Sequence, residues 1–350
     1  MPITVQSRGE HLLTNSRRNA YMTCPRKHYL AYEFGLRPTE DAPPLRDGSC
    51  VHFALDLWKK GSSTGAAIAE ALSAFLSESD YDFSRIAALL EGYWWRWQES
   101  NLRIIASESR FELPLTNPGT GASARIFTLA GKIDAVVELP DKRLAVMEHK
   151  TTSEDIAPDS DYWKALRIDG QISLYMLAAR SLGFNVSTVI YDVLHKPLLR
   201  PLQIPVLDSD GNKIVTDGLG ERILNANGKP RQTGDKERGY VLQTRIQEPD
   251  EYKARLLEDI YAKPDEYYAR REIARIDSDL ADARRDLWET ARLIRESQLN
   301  NYWPRNTAAC RAIGRKCPYF HLCVDGYDPA TGEVPEYFEL VDDLHPELGD

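Results

Sequence analysis

Apolar and polar positions along the chain divide it into predicted strands and helices. Two apolar runs, residues 133–139 and 144–147, flank a Pro-Asp-Lys-Arg turn at residues 140–143, and the first run is rich in β-branched residues. This pattern predicts a β-hairpin or two adjacent strands. Longer segments with apolar residues at helical spacing predict helices on either side of it.

The remaining predicted elements surround this hairpin. Further strands are predicted at residues 109–115, 124–130, 186–194 and 240–247. Helices are predicted at residues 17–34 (after Cys24-Pro25), 48–60, 66–107, 160–182 and 251–299, the last broken near Pro264, and residues 207–238 are predicted as a mobile loop or an irregular hairpin. A helix between two strands indicates a β-α-β crossover. We therefore expect an α/β fold with a mixed central sheet of at least four strands flanked by helices.

Composition restricts the class of protein only slightly. The 350 residues are 42% hydrophobic, which is ordinary for a globular chain and enough for one large domain or two modest ones. No apolar run reaches the length that spans a bilayer, so no membrane segment is predicted. The first residues lack the apolar centre of a signal peptide, so we expect a cytoplasmic protein.

The net charge of −9 is distributed unevenly. Residues 325–350 contain nine acidic residues and no Lys or Arg, so they account for the whole of it. Residues 11–30 and 301–323 contain Lys and Arg but no acid. Because a local field steers a polyanion, these two segments keep nucleic acid among the expected partners.

Two carboxylates and one amine are expected to converge on the hairpin. Glu148 and Lys150 are two positions apart on its second strand, so their side chains leave the same face. Asp134 lies in the first strand and reaches that face if the strands pair. Buried charges are costly unless they are paired or bind a metal, and oxygen-rich sites suit Mg²⁺ or Mn²⁺. The alternative is an exposed hairpin with ordinary surface charges.

Two predicted helices carry polar pairs at i, i+4 spacing. His52 and Asp56 share one helix face, and Gln171 and Tyr175 share another. A single histidine on a helix is more often packed or capped than a ligand, so His52 by itself indicates little.

Five cysteines are present, and three of them, Cys310, Cys317 and Cys323, lie within fourteen residues. Thiolates bind zinc or iron–sulfur clusters. Three thiolates need a fourth ligand, for which Cys24 and His321 compete, and His321 would favour a local zinc site. We interpret Cys50 as a small buried hydrophobic residue.

Taken in chain order, these motifs resemble those of RecB-type nucleases of the PD-(D/E)xK superfamily, and most of all the branch with an iron–sulfur cluster, as in CRISPR-associated RecB-like exonucleases and AddB. The resemblance runs from about residue 21 to residue 323. The segments that carry it are Tyr21-x-x-Cys24-Pro25-Arg26-x-x-Tyr29, Gly48-x-x-x-His52, Gly131-x-x-Asp134, Glu148-x-Lys150-Thr151, Gln171-x-x-x-Tyr175, and Cys310, Cys317-Pro318-Tyr319 and Cys323. The six residues between Cys310 and Cys317 exceed the two that are common in that trio, so Cys310 is the least typical ligand.

The resemblance implies a metal-dependent DNA exonuclease with a restriction-endonuclease-like core. Asp134, Glu148 and His52 would hold Mg²⁺ or Mn²⁺, and the backbone carbonyl of His149 would complete the protein's share of ligands. Such an ion would activate the attacking water and polarise the phosphate. Lys150 would position that water or offset charge on the phosphate.

Two further groups follow from the resemblance. Gln171 and Tyr175 would contact the DNA backbone or orient Lys150. Cys24, Cys310, Cys317 and Cys323 would hold a structural [4Fe-4S] cluster that ties the two ends of the chain together. Basic residues beside these cysteines would grip single-stranded DNA or offset the negative charge of the cluster, namely Arg26, Lys27, Arg305, Arg311 and Arg315.

The expected partners are DNA, as single strands or ends, and a protein in a recombination or CRISPR complex; repair and phage DNA processing also fit. Two alternatives stay open, a non-catalytic nucleic-acid-binding protein on the same fold and a zinc-stabilised nuclease. The expected organisation is an N-terminal segment with the first cluster cysteine (1–47), a helical region with the first catalytic motif (48–107), the nuclease core (108–250), a helical region (251–299), a cluster-binding segment joining the N- and C-terminal regions (300–324) and an acidic tail (325–350).

Overall fold

A computed structural model describes residues 11–76, 80–314 and 316–349 of the chain. The strands are β1 (Leu12–Leu13), β2 (Leu36–Pro38), β3 (Arg103–Thr116), β4 (Ser123–Glu138), β5 (Leu144–Thr152), β6 (Val186–His195), β7 (Gln203–Pro205), β8 (Val215–Thr216), β9 (Val241–Leu242), β10 (Thr244–Ile246), β11 (Tyr268–Ile273) and β12 (Phe338–Leu340). The α-helices are α1 (Asn15–Thr23), α2 (Pro25–His28), α3 (Pro43–Lys59), α4 (Thr64–Phe75), α5 (Asp80–Trp97), α6 (Asp161–Leu166), α7 (Gly170–Ser181), α8 (Pro249–Ala262), α9 (Pro264–Tyr267), α10 (Asp277–Asn300) and α11 (Phe320–Val324). A π-helix covers Tyr29–Glu33, and 3₁₀-helices cover Thr307–Gly314, Pro329–Thr331 and Pro346–Leu348.

A mixed six-stranded sheet forms the centre of the molecule. Its strand order is β1-β4-β5-β6-β11, with β3 also paired to β4. β4 and β5 are antiparallel, whereas β5 and β6 are parallel and are joined through α6 and α7. The predicted mixed α/β fold and its β-α-β crossover are therefore confirmed.

Helices cover both faces of this sheet. Residues of α7 and α10 pack on one face, in a core with apolar residues of β3, β4, β5 and β6. Residues of α3, α4, α5 and α8 form a second apolar core that reaches the sheet at Leu194 and Tyr268. The sheet is thus buried on both sides, which explains why its strands read as nearly continuous apolar runs.

The predicted hairpin is present, with Val136 opposite Val146. The strands predicted separately at residues 124–130 and 133–139 are in fact one strand, β4. Gly131 lies in its interior, directly opposite Phe111 on β3. An added Cβ at Gly131 would lie 2.6 Å from the Phe111 ring, so the glycine makes room for that ring rather than ending the strand.

Several predicted boundaries were wrong. The helix predicted to start at residue 48 begins at Pro43, and the helical block predicted to reach residue 107 ends at Trp97, before β3. The helix predicted over residues 160–182 is two helices, because Asp169 caps a new helix by accepting the N–H of Gln171 at 2.8 Å. The strand predicted at residues 240–247 is β9 and β10, both outside the central sheet.

The charged stretch at residues 251–299 contains an element that was not predicted. Residues Tyr268–Ile273 form β11, the edge strand that pairs antiparallel with β6. Its Arg270-Arg271-Glu272 sequence has the composition of an exposed helix. The strand forms because Arg270 lies directly opposite Asp192 and has its partner there.

The two ends of the described chain meet. β12 pairs with β2, and the hydroxyl of Thr14 donates to Glu347 at 2.6 Å. Residues 325–349 therefore pack against the N-terminal segment. None of the described helices is both long and apolar enough to cross a membrane.

Candidate active site

Asp134 and Glu148 lie close together just beyond the last residue pair of the hairpin. That last pair is Ala135 and Met147, and beyond it the carboxylate of Asp134 accepts the N–H of His149 at 2.9 Å. Both side chains are almost fully buried. Two carboxylates are therefore held close together in a region from which water is largely excluded.

The electrostatics of the pair reflect this closeness. Burial, followed by the charge of Asp134, raises the pKa of Glu148 to about 8. Burial also opposes ionisation of Asp134, but His52, His149 and Lys59 together keep the pKa of Asp134 below its ordinary value. Oε1 of Glu148 accepts a hydrogen bond, whereas its buried Oε2 has no hydrogen-bond partner among the residues that the structure describes.

Lys150 connects Glu148 to helix α7. Its Nζ donates to Oε1 of Glu148 and to Oε1 of Gln171, both at 2.7 Å, and Nε2 of Gln171 donates to the Tyr175 hydroxyl at 3.0 Å. Burial alone would lower the pKa of Lys150, but the charge of Glu148 raises it above its ordinary value. The fold thus brings together all four polar residues predicted on β5 and α7.

His52 approaches the same pair from helix α3. Its Nδ1 lies 3.5 Å from Oδ2 of Asp134, and the side chain is 36% exposed. One turn earlier, an added Cβ at Gly48 would lie 3.3 Å from the Thr151 hydroxyl, so the glycine allows α3 to approach the end of β5 closely. Lys59 on the same helix, which the sequence did not indicate, donates to the backbone oxygen of Asp134 at 3.1 Å.

His149 was predicted to take part only through its backbone carbonyl, yet two other groups of this residue have partners. Its N–H donates to Oδ2 of Asp134 at 2.9 Å, and its Nδ1 lies 2.9 Å from Oδ2 of Asp192. Burial, followed by the charge of Lys59, lowers the pKa of His149 to about 4. The imidazole is therefore neutral near pH 7, and its Nδ1 carries the proton because the ionised carboxylate can only accept.

Asp192, Tyr93 and Arg270 are partners that sequence reasoning missed. The Tyr93 hydroxyl donates to Oδ2 of Asp192, and Nε of Arg270 donates to Oδ1 of Asp192 at 2.9 Å. Burial opposes ionisation of Asp192, but Arg270 and His149 keep its pKa below the ordinary value. An aspartate within the otherwise apolar strand Val186–His195 was the available signal.

The donors around Asp134 suit a hard divalent ion. They are the carboxylates of Asp134 and Glu148 and the imidazole of His52, to which the backbone carbonyl of His149 would add a further oxygen. Among the described residues, Oε2 of Glu148 has no hydrogen-bond partner, and a cation would satisfy this oxygen. Within residues 11–76, 80–314 and 316–349, no three or more His, Cys, Asp or Glu side chains lie close enough together to hold a metal ion as they stand. The ammonium group of Lys150 supplies the positive charge next to Glu148.

The cysteines predicted as ligands come from both ends of the chain and lie near one another. Sγ of Cys24 accepts the N–H of Asn306 at 3.3 Å, Sγ of Cys310 lies 3.8 Å from the oxygen of Asn306, and the N–H of Cys317 donates to the oxygen of Cys310 at 2.9 Å. Burial raises the pKa values of the Cys317 and Cys323 thiols, and Cys24 and Cys310 raise both further. All four are free thiols. Among the described residues, they do not form a group of three or more side chains that could hold a metal ion as they stand.

His321 and Cys50 are both placed apart from these four thiols. Nε2 of His321 lies 2.9 Å from Nζ of Lys316, and its ring is exposed. Cys50 is fully buried in the helical core, and burial raises its pKa to about 12, in agreement with a small buried hydrophobic residue.

Three of the basic residues predicted to bind DNA, Arg26, Lys27 and Arg305, lie near the cysteine thiols. Arg26 donates to the oxygen of Tyr327 at 3.1 Å and stacks over the Tyr29 ring at 5.1 Å. Lys27 and Arg305 lower the pKa values of nearby thiols, and Arg311 is exposed. Arg315 lies outside the described residues.

Comparisons with known proteins agree with this geometry at the level of a family. The family model described as the PD-(D/E)XK nuclease superfamily matches residues 13–324. No match was found among curated proteins. A solved structure described as "Crystal structure of SSO0001" is 14% identical and covers 88% of this chain and 86% of its own, with a TM-score of 0.30. That structural similarity is too weak to support an argument.

Proposed function

The chain belongs to the PD-(D/E)XK nuclease superfamily, and we propose that it is a Mg²⁺- or Mn²⁺-dependent deoxyribonuclease that degrades DNA from single-stranded ends. The observation that carries this proposal is the convergence of Asp134, Glu148 and Lys150 on one hairpin, where the buried Oε2 of Glu148 has no hydrogen-bond partner within the described part of the chain. A binding protein has no evident need for such a costly arrangement.

The proposed roles follow from the contacts. Asp134, Glu148, His52 and the backbone carbonyl of His149 would hold the ion, which when bound supplies charge neutralisation and a more acidic water. Lys150 would orient the attacking water or hold a phosphate oxygen through its Nζ, which already lies between Glu148 and Gln171. Gln171, bonded to Tyr175, would fix the position of that ammonium group.

We further propose that Cys24, Cys310, Cys317 and Cys323 hold a [4Fe-4S] cluster with a structural role. The approach of the four thiols from both ends of the chain supports this, as does the resemblance of their motifs. The exposed Arg305 and Arg311 beside them would contact the DNA backbone.

A cleavage assay with end-labelled and circular DNA tests the proposed activity. Linear single-stranded DNA is expected to lose its labelled ends in the presence of Mg²⁺ or Mn²⁺ and to stay intact with a chelator. Circular single-stranded DNA of the same sequence should survive, since an exonuclease needs an end. Cleavage of the circle would point to an endonuclease, and the absence of any cleavage by protein purified without oxygen would favour a binding protein.

A further inference from the structure

We propose that Asp192 is a positioning residue for the metal site and that it acts through the side chain of His149. Asp192 reaches neither Glu148 nor Lys150 in any contact described above. Its bond to His149 would instead fix the stretch of β5 that carries both of those residues. This proposal rests on the proposed metal-dependent function and extends it to a residue on the next strand.

His149 lies between the two predicted catalytic side chains and is held at two points. Successive residues of a strand point to opposite faces, so His149 faces away from Glu148 and Lys150. Its N–H donates to the carboxylate of Asp134 at 2.9 Å, while its Nδ1 donates to Asp192 at 2.9 Å. A rotation of β5 at this residue would break one or both bonds, so the pair of bonds fixes the direction of both neighbouring side chains.

The anchor itself is built across three adjacent strands. Sheet register places Asp192 of β6 directly beside His149 of β5 on one side and beside Arg270 of β11 on the other. Asp192 is 0% exposed, and Arg270 contacts both of its oxygens, at 2.9 and 3.3 Å. The row therefore runs from the candidate metal site to the edge of the sheet.

Helix α5 secures the same carboxylate from outside the sheet. The Tyr93 hydroxyl donates to Asp192 and accepts from Nη2 of Arg270 at 2.9 Å. The guanidinium group of Arg270 also lies over the ring of Trp97, 4.0 Å from its centre. Rotation of the carboxylate is thus opposed by three different side chains, His149, Tyr93 and Arg270.

Stability alone gives a weak reason for this row. A buried ion pair costs so much desolvation that apolar residues of similar volume often stabilise a protein as well or better. Metal sites, in contrast, need their ligands held within about 0.5 Å, and the groups that orient a ligand commonly change metal affinity about 10- to 100-fold when they are removed. Orientation of β5 therefore explains the buried charges better than packing does.

Two substitutions of one residue separate positioning from ligation. In His149→Asn the amide nitrogen takes the place of Nδ1 and keeps a donor for Asp192, whereas His149→Leu has no donor. Titration with Mn²⁺ alone, by calorimetry or by electron paramagnetic resonance, is expected to show affinity within about twofold of wild type for the first variant and about tenfold weaker binding for the second. If both variants lose affinity equally, or neither loses any, the proposal is overturned.

Asp192→Asn tests the other end of the contact. Alone, it is expected to weaken Mn²⁺ binding about tenfold. In the His149→Leu background it should add little, since residues that act through one contact are not additive, and a full additional loss would contradict the proposal. Arg270→Lys, which keeps the charge but not the paired bonds, gives an expected smaller loss if Asp192→Asn does not fold.

Tyr252→Phe is the matched control for stability. It removes the hydroxyl of a buried tyrosine in the same helical core, which donates to the oxygen of Leu199 at 2.6 Å and does not belong to the row of His149, Asp192, Arg270 and Tyr93. It is expected to lower the free energy of unfolding without changing Mn²⁺ affinity. If this control loses as much Mn²⁺ affinity as Asp192→Asn does, the loss in Asp192→Asn comes from destabilisation and not from a positioning role. The proposed metal site itself is wrong if wild type does not bind Mn²⁺ or if Asp134→Asn binds it equally well. If Mn²⁺ binding depends on Asp134 but is unchanged in the His149 variants, only the positioning role is wrong.

Discussion

The hairpin site and the cysteine site are both formed by segments distant in the sequence, but different kinds of structure hold them. Asp134, Glu148 and Lys150 lie on two paired strands, and hydrogen bonds of 2.7 to 2.9 Å fix the Lys150 amine and the Asp134 carboxylate. Cys24 lies at a helix junction, Cys310 in a 3₁₀-helix, Cys317 just before the five-residue helix α11, and Cys323 within α11. Three of them, Cys310, Cys317 and Cys323, are only partly buried, whereas Asp134 and Glu148 are buried.

This difference shows how each site relates to what it would bind. Strand pairing orients the hairpin residues in the protein alone, and Lys150 compensates the charge of Glu148. The cysteine segments have little regular structure of their own, so a bound cluster would contribute much of their order. Removal of one residue should therefore abolish chemistry at the first site and disturb folding at the second.

Lys150→Ala is expected to have the largest effect on cleavage. Loss of the ammonium group removes the only charge partner described for Glu148, together with the group that would stabilise charge at the phosphate. Cleavage should fall by at least about 10²- to 10³-fold, while DNA binding is retained, because backbone contacts elsewhere on the surface supply most of the affinity. End-labelled cleavage and a binding isotherm in Ca²⁺ measure the two quantities.

Lys142→Ala is the matched control, since Lys142 lies in the turn of the same hairpin and its exposed ammonium group pairs with Glu138 instead of Glu148. It should cleave as wild type does. Wild-type turnover by Lys150→Ala would remove the catalytic assignment.

Cys323→Ala is expected to act on folding rather than directly on chemistry. Iron content and visible colour should disappear, and soluble protein should become scarce, because loss of a cluster would cost several kcal/mol against a total stability of about 5–15 kcal/mol. Cys50→Ala, at a buried cysteine far from the other four in the helical core, should keep its iron. Elemental analysis after anaerobic purification compares them; a stable and fully active Cys323→Ala variant would contradict a structural cluster, and zinc in place of iron would support the alternative metal.

The hairpin was predictable because its signals are local. The two apolar runs, the turn at residues 140–143 and the i, i+2 spacing of Glu148 and Lys150 all lie within twenty residues. The positions of Gln171 and Tyr175 relative to Lys150 came from a resemblance rather than from spacing. The structure then shows the physical reason, which is that the crossover returns α7 over β5.

The anchor behind the hairpin was not predictable by the same means. β11 has the composition of an exposed helix. Its charged residues meet their partners when the strand lies beside β6, which the sequence does not show. Without β11, Asp192 has no visible counter-charge, and a single aspartate in an apolar strand indicates only that some partner exists. Long-range pairing of this kind requires the register of the folded sheet.

Acid should loosen the cysteine region through His28. This ring is 0% exposed and accepts from Nε of Arg17 at 3.2 Å. Burial, followed by the charge of Arg17, lowers the pKa of His28 well below its ordinary value, so the unfolded chain binds the extra proton first. Stability from this group is complete above about pH 6.5 and is lost as the pH falls, by at most about 1.4 kcal/mol per pH unit until the folded-state pKa is reached.

Hydrogen exchange between pH 7 and pH 5 measures this loss segment by segment. His28→Gln keeps an acceptor for Arg17 but does not titrate, so protection of residues 11–38 and 317–349 should depend less on pH than in wild type, after correction for intrinsic exchange. His149 is present in both proteins, and burial lowers its pKa to about 4, so it stays largely neutral in the folded protein over this pH range; the central strands are therefore an internal reference. Equal pH dependence in the two proteins would show that His28 does not control the region.

Substitution of the basic residues around the cysteines should have the smallest effect. Arg305 and Arg311 are exposed, and each would neutralise one phosphate at most. Arg311→Ala should therefore weaken DNA binding only a few-fold and reduce the slope of log affinity against log salt concentration by about one, equally for different sequences. Arg292→Ala on α10, an exposed arginine paired with Glu289, is the control and should leave that slope unchanged. If Arg311→Ala also leaves the slope unchanged but lowers iron content, the basic residues serve the charge of the cluster, and DNA is held at the hairpin end instead. A reduced slope with normal iron content would indicate that one DNA strand contacts both sites, bound beside the cysteines and extending to Lys150.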